Sequence, residues 1–360
     1  MATFDVLLPV KNGLPYLRAA IESIQQQTFK DWRLFVLDHC STDGSVELAD
    51  EFARLDRRIV VKECPPELTF SQLLNLGLAL CDARYVLRQD ADDISLPHRM
   101  ATLAEAFEQM PDVSLLGSQG LVIDAGGDTT GRFDMPLSRE RIAAITFFRI
   151  PILHPSVAFR ATDVARRGIR YGDDFIKAVP ADERLSVPSL AEDYFLFGQM
   201  ALAGKCRNLP QRLLKFRWHN NNISVLKESD QTKVAITISR YLAKTFAALN
   251  DTEPFDPAPF CNHGYRLVDV RGRIDFRSDF LLMKRNLEKG LHHSHEVQRE
   301  LAFRKCLSER LPVSLVTKYC AHVVRAGADR SEWYTVKSWL LNESKKRYPA
   351  LRSRTLVEID

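Results

Sequence analysis

The chain has 360 residues, 45% of them hydrophobic and 27% charged, with a formal net charge of +4, enough for one large domain plus an addition. No apolar run approaches the length of a membrane span, and Met1–Phe4 leads straight into a strand pattern without a basic, then apolar, signal region; a cytoplasmic protein is expected. The seven cysteines (Cys40, Cys64, Cys81, Cys206, Cys261, Cys306 and Cys320) are odd in number, scattered and never in a Cys-x-x-Cys pair, which speaks against a disulfide framework or a zinc site and for reduced, mostly buried thiols. Internal repeats and Gly-rich phosphate loops of the Walker or dinucleotide type are absent.

In chain order, Phe4–Val10 is an apolar run, followed by Lys11-Asn12-Gly13 and a helical pattern with Leu17, Ala20, Ile21 and Ile24 on one face. Trp32–Leu37 repeats the strand and ends in Asp38-His39-Cys40-Ser41-Thr42-Asp43-Gly44 before a helix carrying Val46, Leu48, Ala49 and Phe52. Ile59–Lys62 and Tyr85–Leu87 complete four strands separated by helical stretches, the signature of an α/β fold whose mainly parallel sheet is covered on both faces. Polar loops then gather at one sheet edge, where open α/β sheets bind ligands.

The fourth strand runs into Gln89-Asp90-Ala91-Asp92-Asp93-Ile94-Ser95-Leu96-Pro97. In extended chain, Asp90 and Asp92 point the same way and address one ligand. Clustered carboxylates repel unless a hard cation such as Mg²⁺ or Mn²⁺ sits among them, and such a cation can hold a diphosphate. The plainer reading is an acidic turn, with Asp93 capping the helix that begins near Pro97.

Further along, Ser189-Leu190-Ala191-Glu192 ahead of a helical Tyr194–Ala203 run is a capping-box pattern. It would turn Glu192 back to the helix start and leave Asp193, about 100° away, facing a cleft. Alternatively both are first-turn acids stabilised by the helix dipole. Leu213–Phe216 reads as a strand leading to Arg217, Trp218 and His219, and His154-Pro155-Ser156 as a turn into a Val157–Arg160 strand.

These motifs together resemble the family 2 inverting glycosyltransferases with the GT-A fold. The likeness is carried by Leu8-Pro9-Val10-Lys11-Asn12-Gly13, Gln27-Thr28-Phe29 with Trp32, Asp38 with Ser41-Thr42-Asp43-Gly44-Ser45, and Asp90-Ala91-Asp92-Asp93 with Pro97 and Arg99. His154-Pro155-Ser156, Glu192-Asp193-Tyr194 and Arg217…His219…Ser224 extend it to about residue 225. The resemblance implies a GT-A catalytic domain over residues 1–228 that binds a nucleotide-sugar donor through Pro9, Lys11, Asn12, Asp38, His39, Asp90, Asp93, Arg217 and His219. It implies Asp92 as ligand of Mn²⁺ or Mg²⁺, Asp193 as general base with Glu192 supporting it, and His154 on the acceptor side. A hydroxyl of a saccharide or glycolipid, in cell-surface polysaccharide assembly, would be the acceptor. Many relatives carry two consecutive acids where this chain has Asp38-His39. A neutral imidazole offers one acceptor nitrogen in place of two carboxylate oxygens, so a UDP-sugar is the first choice of donor with dTDP- and GDP-sugars as alternatives.

Other readings are transfer to a polyprenyl phosphate, which needs no base; a non-catalytic sugar-nucleotide-binding protein; and a haloacid-dehalogenase-type phosphatase, suggested by Asp90-x-Asp92 after a strand. Beyond residue 228 a basic, mainly helical region is expected. From Arg266 to Asp360, twenty Lys and Arg face twelve Asp and Glu, a surplus of +8 that leaves the preceding residues at −4. Pro254–Pro259 reads as a linker, followed by helical Val297–Leu311 and Glu332–Asn342, the latter with Trp333, Val336, Trp339 and Leu340 in a stripe. The basic surface suits anionic lipid headgroups or a lipid-linked acceptor at the inner face of a membrane. The alternative is a helical lid whose stripe packs on the catalytic domain, with Lys345-Lys346-Arg347 solvated. Dispersed basic residues without a binding motif speak against nucleic acid.

Overall fold

The computed structural model describes residues 2–220, 222–262, 276–309 and 312–345; Lys346 and Arg347 lie outside them. The described chain forms two compact units. The first comprises residues up to Leu137, Ile152–Phe175 and Ser186–Glu228; the second takes Ser138–Pro151, Ile176–Leu185 and the residues from Ser229 on. Two segments that precede residue 228 therefore belong to the second unit.

The first unit is built on a nine-stranded sheet. Strands β1 (Phe4–Val10), β2 (Trp32–Asp38), β3 (Ile59–Glu63) and β4 (Tyr85–Arg88) lie parallel in the order β3-β2-β1-β4. Beyond β4 the sheet becomes mixed. β8 (Ala158–Arg160) runs antiparallel to β4, β6 (Leu115–Ile123) antiparallel to β8, and β9 (Cys206–Arg217) parallel to β6. The short β5 (Ile94–Ser95) pairs with β9, and β7 (Thr129–Phe133) pairs with β6.

Helices cover both faces of the parallel part, and the alternation along β1 shows why its sequence is apolar except at Asp5. Phe4, Val6, Leu8 and Val10 share one cluster with Leu17, Ile21 and Ile24 of α1 (Leu14–Gln25), Leu48 and Phe52 of α2 (Ser45–Leu55), and Leu103 and Phe107. Leu7 and its neighbour Leu37 meet α3 (Phe70–Leu80) on the other face. A β-carbon on Gly77 would lie 2.6 Å from Leu37 Cδ1 and 3.2 Å from Leu7 Cδ1, so α3 can approach the sheet only through a glycine. The buried Asp5 of β1 is paired with Arg33 at 2.9 Å and accepts the amide N–H groups of Asp82 and Ala83, which satisfies a charge inside the sheet. The remaining helices of this unit are α4 (Arg99–Gln109), α6 (Ala161–Arg167), α7 (Glu192–Leu202) and α8 (Ile223–Leu226).

The second unit contains α5 (Arg139–Ile145), α9 (Glu228–Asn250), α10 (Arg277–Leu291), α11 (His295–Leu307), α12 (Pro312–Ala326) and α13 (Arg330–Lys345). Its centre is aromatic: Phe147 meets Phe246 and Phe255 edge-on at 5.1 and 5.5 Å. Pro254–Pro259 is not a free linker. Phe255 and Pro257–Phe260 are buried, while Pro254 is exposed. The Val336/Trp339 stripe is buried against Phe303, Leu307, Leu315 and Tyr319 of α11 and α12, inside the second unit, while Trp333 is half exposed. The basic surplus is partly internal as well. Arg304 is fully buried and donates to Glu300, the Phe260 carbonyl and Asn262. Among the described residues no helix is long and apolar enough to cross a membrane.

Candidate active site

The carboxyl ends of β1 and β2 are stitched into one rim by short polar side chains. Asn12, in the left-handed region at φ 54°, accepts the Thr42 N–H through its side chain at 2.8 Å and donates its own N–H to Ser41 Oγ at 2.9 Å. Gly13 N–H donates to Ser45 Oγ and Leu14 N–H to Asp43. Pro9 is buried in β1 opposite Leu37, and Lys11 is exposed on the rim. Asp38 is 2% exposed. One of its oxygens accepts the Ser41 N–H; the other is buried and has no partner among the described residues. The same holds for Nε2 of His39, whose backbone N–H is fixed to the Val10 carbonyl. Two unsatisfied polar atoms at the end of one strand are costly unless a ligand completes them.

The acidic cluster forms by a different route from the one expected. β4 stops at Arg88, and Asp90–Asp93 is a turn closed by the Asp93 N–H on the Asp90 carbonyl, so the carboxylates converge through a turn and not through strand alternation. Buried Gln89 shapes it, donating to the carbonyls of Asp90 and Asp93. Fully buried Arg99 braces it from α4 through Gln89, Ser95, and the carbonyls of Arg88 and Pro155. One oxygen from each of Asp90, Asp92 and Asp93 lies within 4.8 Å of the others.

Each carboxylate has a distinct neighbour. Asp90 pairs with the buried Arg88. Asp92 Oδ2 meets His219 Nε2 at 3.0 Å and Asn222 Nδ2 at 3.4 Å. Asp93 is wholly buried, accepts the Arg217 N–H at 2.8 Å, and keeps a second oxygen without a partner among the described residues. Asp93 caps no helix: α4 begins after His98, with no side-chain cap. Burial, with the neighbouring Asp90, raises the carboxyl of Asp92, and burial with both neighbours raises that of Asp93 well above the usual range. Three crowded oxygens of this kind are the donor set of a hard divalent cation, and the residues fit one.

Arg217 and His219 both lie beside the acidic turn. Arg217 is 5% exposed; its Nε and Nη1 donate to the carbonyls of Asp92, Asp124 and Ala125, which engages those groups in holding the acidic turn. Its guanidinium also lies 4.7 Å over the Tyr16 ring, and Tyr16 stacks on His219 at 5.0 Å.

At the start of α7 the capping box does not form. The chain reaches the helix through Leu190 (φ 62°) and Ala191 (φ 93°), both left-handed, so Glu192 is the first helical residue and Ser189 lies outside cap reach. Such backbone is costly for residues with a β-carbon and concentrates at functional sites. Glu192 does not turn outward: it is 4% exposed, and burial next to Asp193 pushes its carboxyl up to about 8. Asp193 accepts the Tyr194 N–H at 2.7 Å and faces His154 Nδ1 at 3.5 Å. Burial pushes the His154 imidazole down, against the pull of Asp193.

The family model for glycosyl transferase family 2 matches residues 5–168. The chain is 26% identical over 244 residues to an uncharacterized glycosyltransferase of Haemophilus influenzae, covering 66% of this chain and 72% of that one. It is 30% identical over 218 residues to the amylovoran biosynthesis glycosyltransferase AmsE of Erwinia amylovora, covering 59% of this chain and 76% of AmsE. The chain belongs to glycosyl transferase family 2. It is therefore a glycosyltransferase, and its fold agrees: residues 1–349 of S. aureus TarS, solved in complex with UDP-GlcNAc, superpose with a TM-score of 0.53 at 13% identity, covering 96% of this chain and 93% of that structure.

In this family 2 chain, sequence reasoning missed Arg88, Gln89, Tyr16, Tyr171 and Asn222. Arg88 had a signal: an arginine ending an apolar strand is a buried charge and needs a partner, and the acids two and more residues on supply it. Tyr171, fully buried with a hydroxyl that has no partner among the described residues, has no local cue, because it reaches the site from a loop.

Proposed function

We propose that this family 2 enzyme is a metal-dependent, inverting transferase that moves a sugar from a nucleotide-sugar to a hydroxyl of a saccharide or glycolipid. The observation that carries the reading is the gathering of Asp90, Asp92 and Asp93 within 4.8 Å, in the same unit as Asp193 at the start of α7. Asp92, with Asp90 and Asp93 beside it, would hold Mn²⁺ or Mg²⁺. That cation supplies positive charge where the diphosphate leaves. Pro9, Lys11, Asn12, Asp38 and His39 bind and orient the donor, Asp38 and His39 offering their unsatisfied atoms to the base.

A sugar hydroxyl is a poor nucleophile at neutral pH, and Asp193 takes its proton as the new bond forms. Glu192, whose carboxyl is pushed up by burial and by Asp193, would hold a proton more readily than a free glutamate and so keep a second negative charge away from that base. Displacement on one face inverts the anomeric centre. A polyprenyl phosphate acceptor would need no such base, so the pair favours a hydroxyl. UDP-sugars are the first choice of donor, supported by the UDP-GlcNAc complex of TarS. The name of AmsE supports polysaccharide biosynthesis as the setting, at the inner face of the cell membrane with the basic second unit as contact.

A thermal-shift screen against UDP-, dTDP- and GDP-sugars with and without Mn²⁺ tests this. A bound donor at 100 times its dissociation constant stabilises by about 2.7 kcal/mol. Shifts that ignore Mn²⁺, or a product of retained configuration, would overturn the metal or the inverting step.

A further inference from the structure

We infer that His154 is a positioning residue for Asp193: a neutral imidazole that donates its Nδ1–H to Asp193 Oδ2 and so fixes the plane of the carboxylate. This rests on the reading of Asp193 as the base. The first observation is geometric. Asp193 Oδ1 already accepts the Tyr194 N–H at 2.7 Å, and His154 Nδ1 stands 3.5 Å from Oδ2, so the two contacts restrain both oxygens of one carboxylate. At 3.5 Å the second contact is longer than a formed hydrogen bond, and catalytic contacts of this kind often tighten only when substrate binds.

The second is how firmly the ring is held. His154 opens a short 3₁₀ turn, His154–Ser156, in which Ser156 Oγ donates to the Leu153 carbonyl and accepts the Ser118 N–H. Arg99 donates to the Pro155 carbonyl at 2.6 Å. The imidazole lies 5.8 Å from the ring of Tyr171 and 5.7 Å from that of Phe197, and Phe197 belongs to α7, the helix that carries Asp193. The ring is thus packed against the element it would orient.

The third is the placement of one proton. The charged groups acting on the ring are Asp193 from α7 and Arg88 and Asp90 from the end of β4, and burial outweighs them to keep it neutral. A neutral imidazole has a single N–H. On Nδ1 that proton meets a carboxylate. On Nε2, which is buried and has no partner among the described residues, it would meet nothing and would leave the Nδ1 lone pair facing a negative charge. The carboxylate therefore selects the tautomer.

The test reads that tautomer directly. Histidine-¹⁵N-labelled full-length protein is compared with His154→Asn to assign the His154 ring signals at neutral pH. A protonated Nδ1 and bare Nε2, altered by Asp193→Asn, are expected; an Nε2–H tautomer, or signals indifferent to Asp193→Asn, overturns the inference. In parallel, nucleoside diphosphate release is followed from UDP-glucose, UDP-N-acetylglucosamine, dTDP-glucose and GDP-mannose with Mn²⁺. His154→Leu should lower kcat about 10- to 100-fold, the range for outer partners of a working ligand, with donor affinity unchanged. His154→Asn, whose amide N–H sits near the Nδ1 position, should recover most of that loss. Equal losses in both variants with weakened donor binding would mark a packing residue only. Near-normal turnover in Asp193→Asn sinks the base assignment itself, whereas an inactive Asp193→Asn beside an Nε2–H tautomer sinks this inference alone.

Discussion

Asp92 Oδ2 and His219 Nε2 lie 3.0 Å apart, which ties the acidic turn after β4 to the loop after β9 across 127 residues of sequence. The histidine partly offsets the crowding that raises the Asp92 carboxyl. If Asp92 ligates the metal, Asp92→Asn should abolish the Mn²⁺-dependent part of nucleotide binding and turnover, because a neutral amide is a weak ligand for a hard cation. Isothermal titration with UDP in Mn²⁺ and in EDTA measures it, and equal metal dependence in the two proteins would remove Asp92 from the site.

Asp193→Asn separates catalysis from binding. Donor affinity should stay within about threefold while turnover falls by roughly 10²–10⁴. Single-turnover kinetics with saturating donor resolves the two, and near-wild-type turnover would rule Asp193 out as base.

Glu192 predicts a pH signature in stability. Its folded carboxyl is pushed up to about 8 from an ordinary 4.5, so between those values the folded protein holds a proton that the unfolded chain has lost. Stability therefore falls as pH rises through this window and levels off above about pH 8. Glu192→Gln, which imitates the protonated acid, should melt progressively higher than wild type from pH 5 to pH 8. Parallel melting curves across that range would show that Glu192 ionises normally.

Arg88→Met should leave the half-buried Asp90 without its ion-pair partner and destabilise the metal-free protein by about 1–3 kcal/mol, less than breaking a fully buried pair would cost. Mn²⁺ should restore part of the loss by supplying the missing charge. Urea unfolding with and without Mn²⁺ checks this, and a variant as stable as wild type in EDTA would show that Arg88 does not neutralise the cluster.

His39→Asp should tighten UDP binding if this side chain meets uracil, since a carboxylate offers two acceptors where the buried Nε2 offers one. An unchanged preference among UDP, dTDP and GDP would place His39 away from the base.

The parallel half of the sheet was legible because each of its strands carries its own signal: β1 and β2 are buried almost throughout, and each is followed by a polar loop and an amphipathic helix. The strand β6 gives no such signal. Its Gly117 has no side chain because Asn208 and Ile152 come within 2.4 Å of where a β-carbon would sit, and its Ser118 and Gln119 are buried, so tertiary contacts have overwritten the alternation. Among site residues, the identities of the acids were readable but their directions were not. The Asp90–Asp93 turn and the left-handed Leu190-Ala191 approach to α7 are backbone conformations that no residue type there demands, and they reverse what strand alternation and a capping box would give. Local propensity yields where the surrounding structure over-determines the chain.

The division of the chain bears on how it is made. Ser138–Pro151 and Ile176–Leu185 emerge from the ribosome before α9, yet they complete a unit whose other helices follow Ser229. Until Phe246 and Phe255 are synthesised, Phe147 has no aromatic neighbour among the described residues but Phe148. Domains ordinarily fold in the order they are translated. Here every strand of the first unit is translated by Arg217, whereas Phe147 and Phe148 are covered by residues made later, so a chain cut at residue 228 is expected to expose these two phenylalanines to chaperones and proteases.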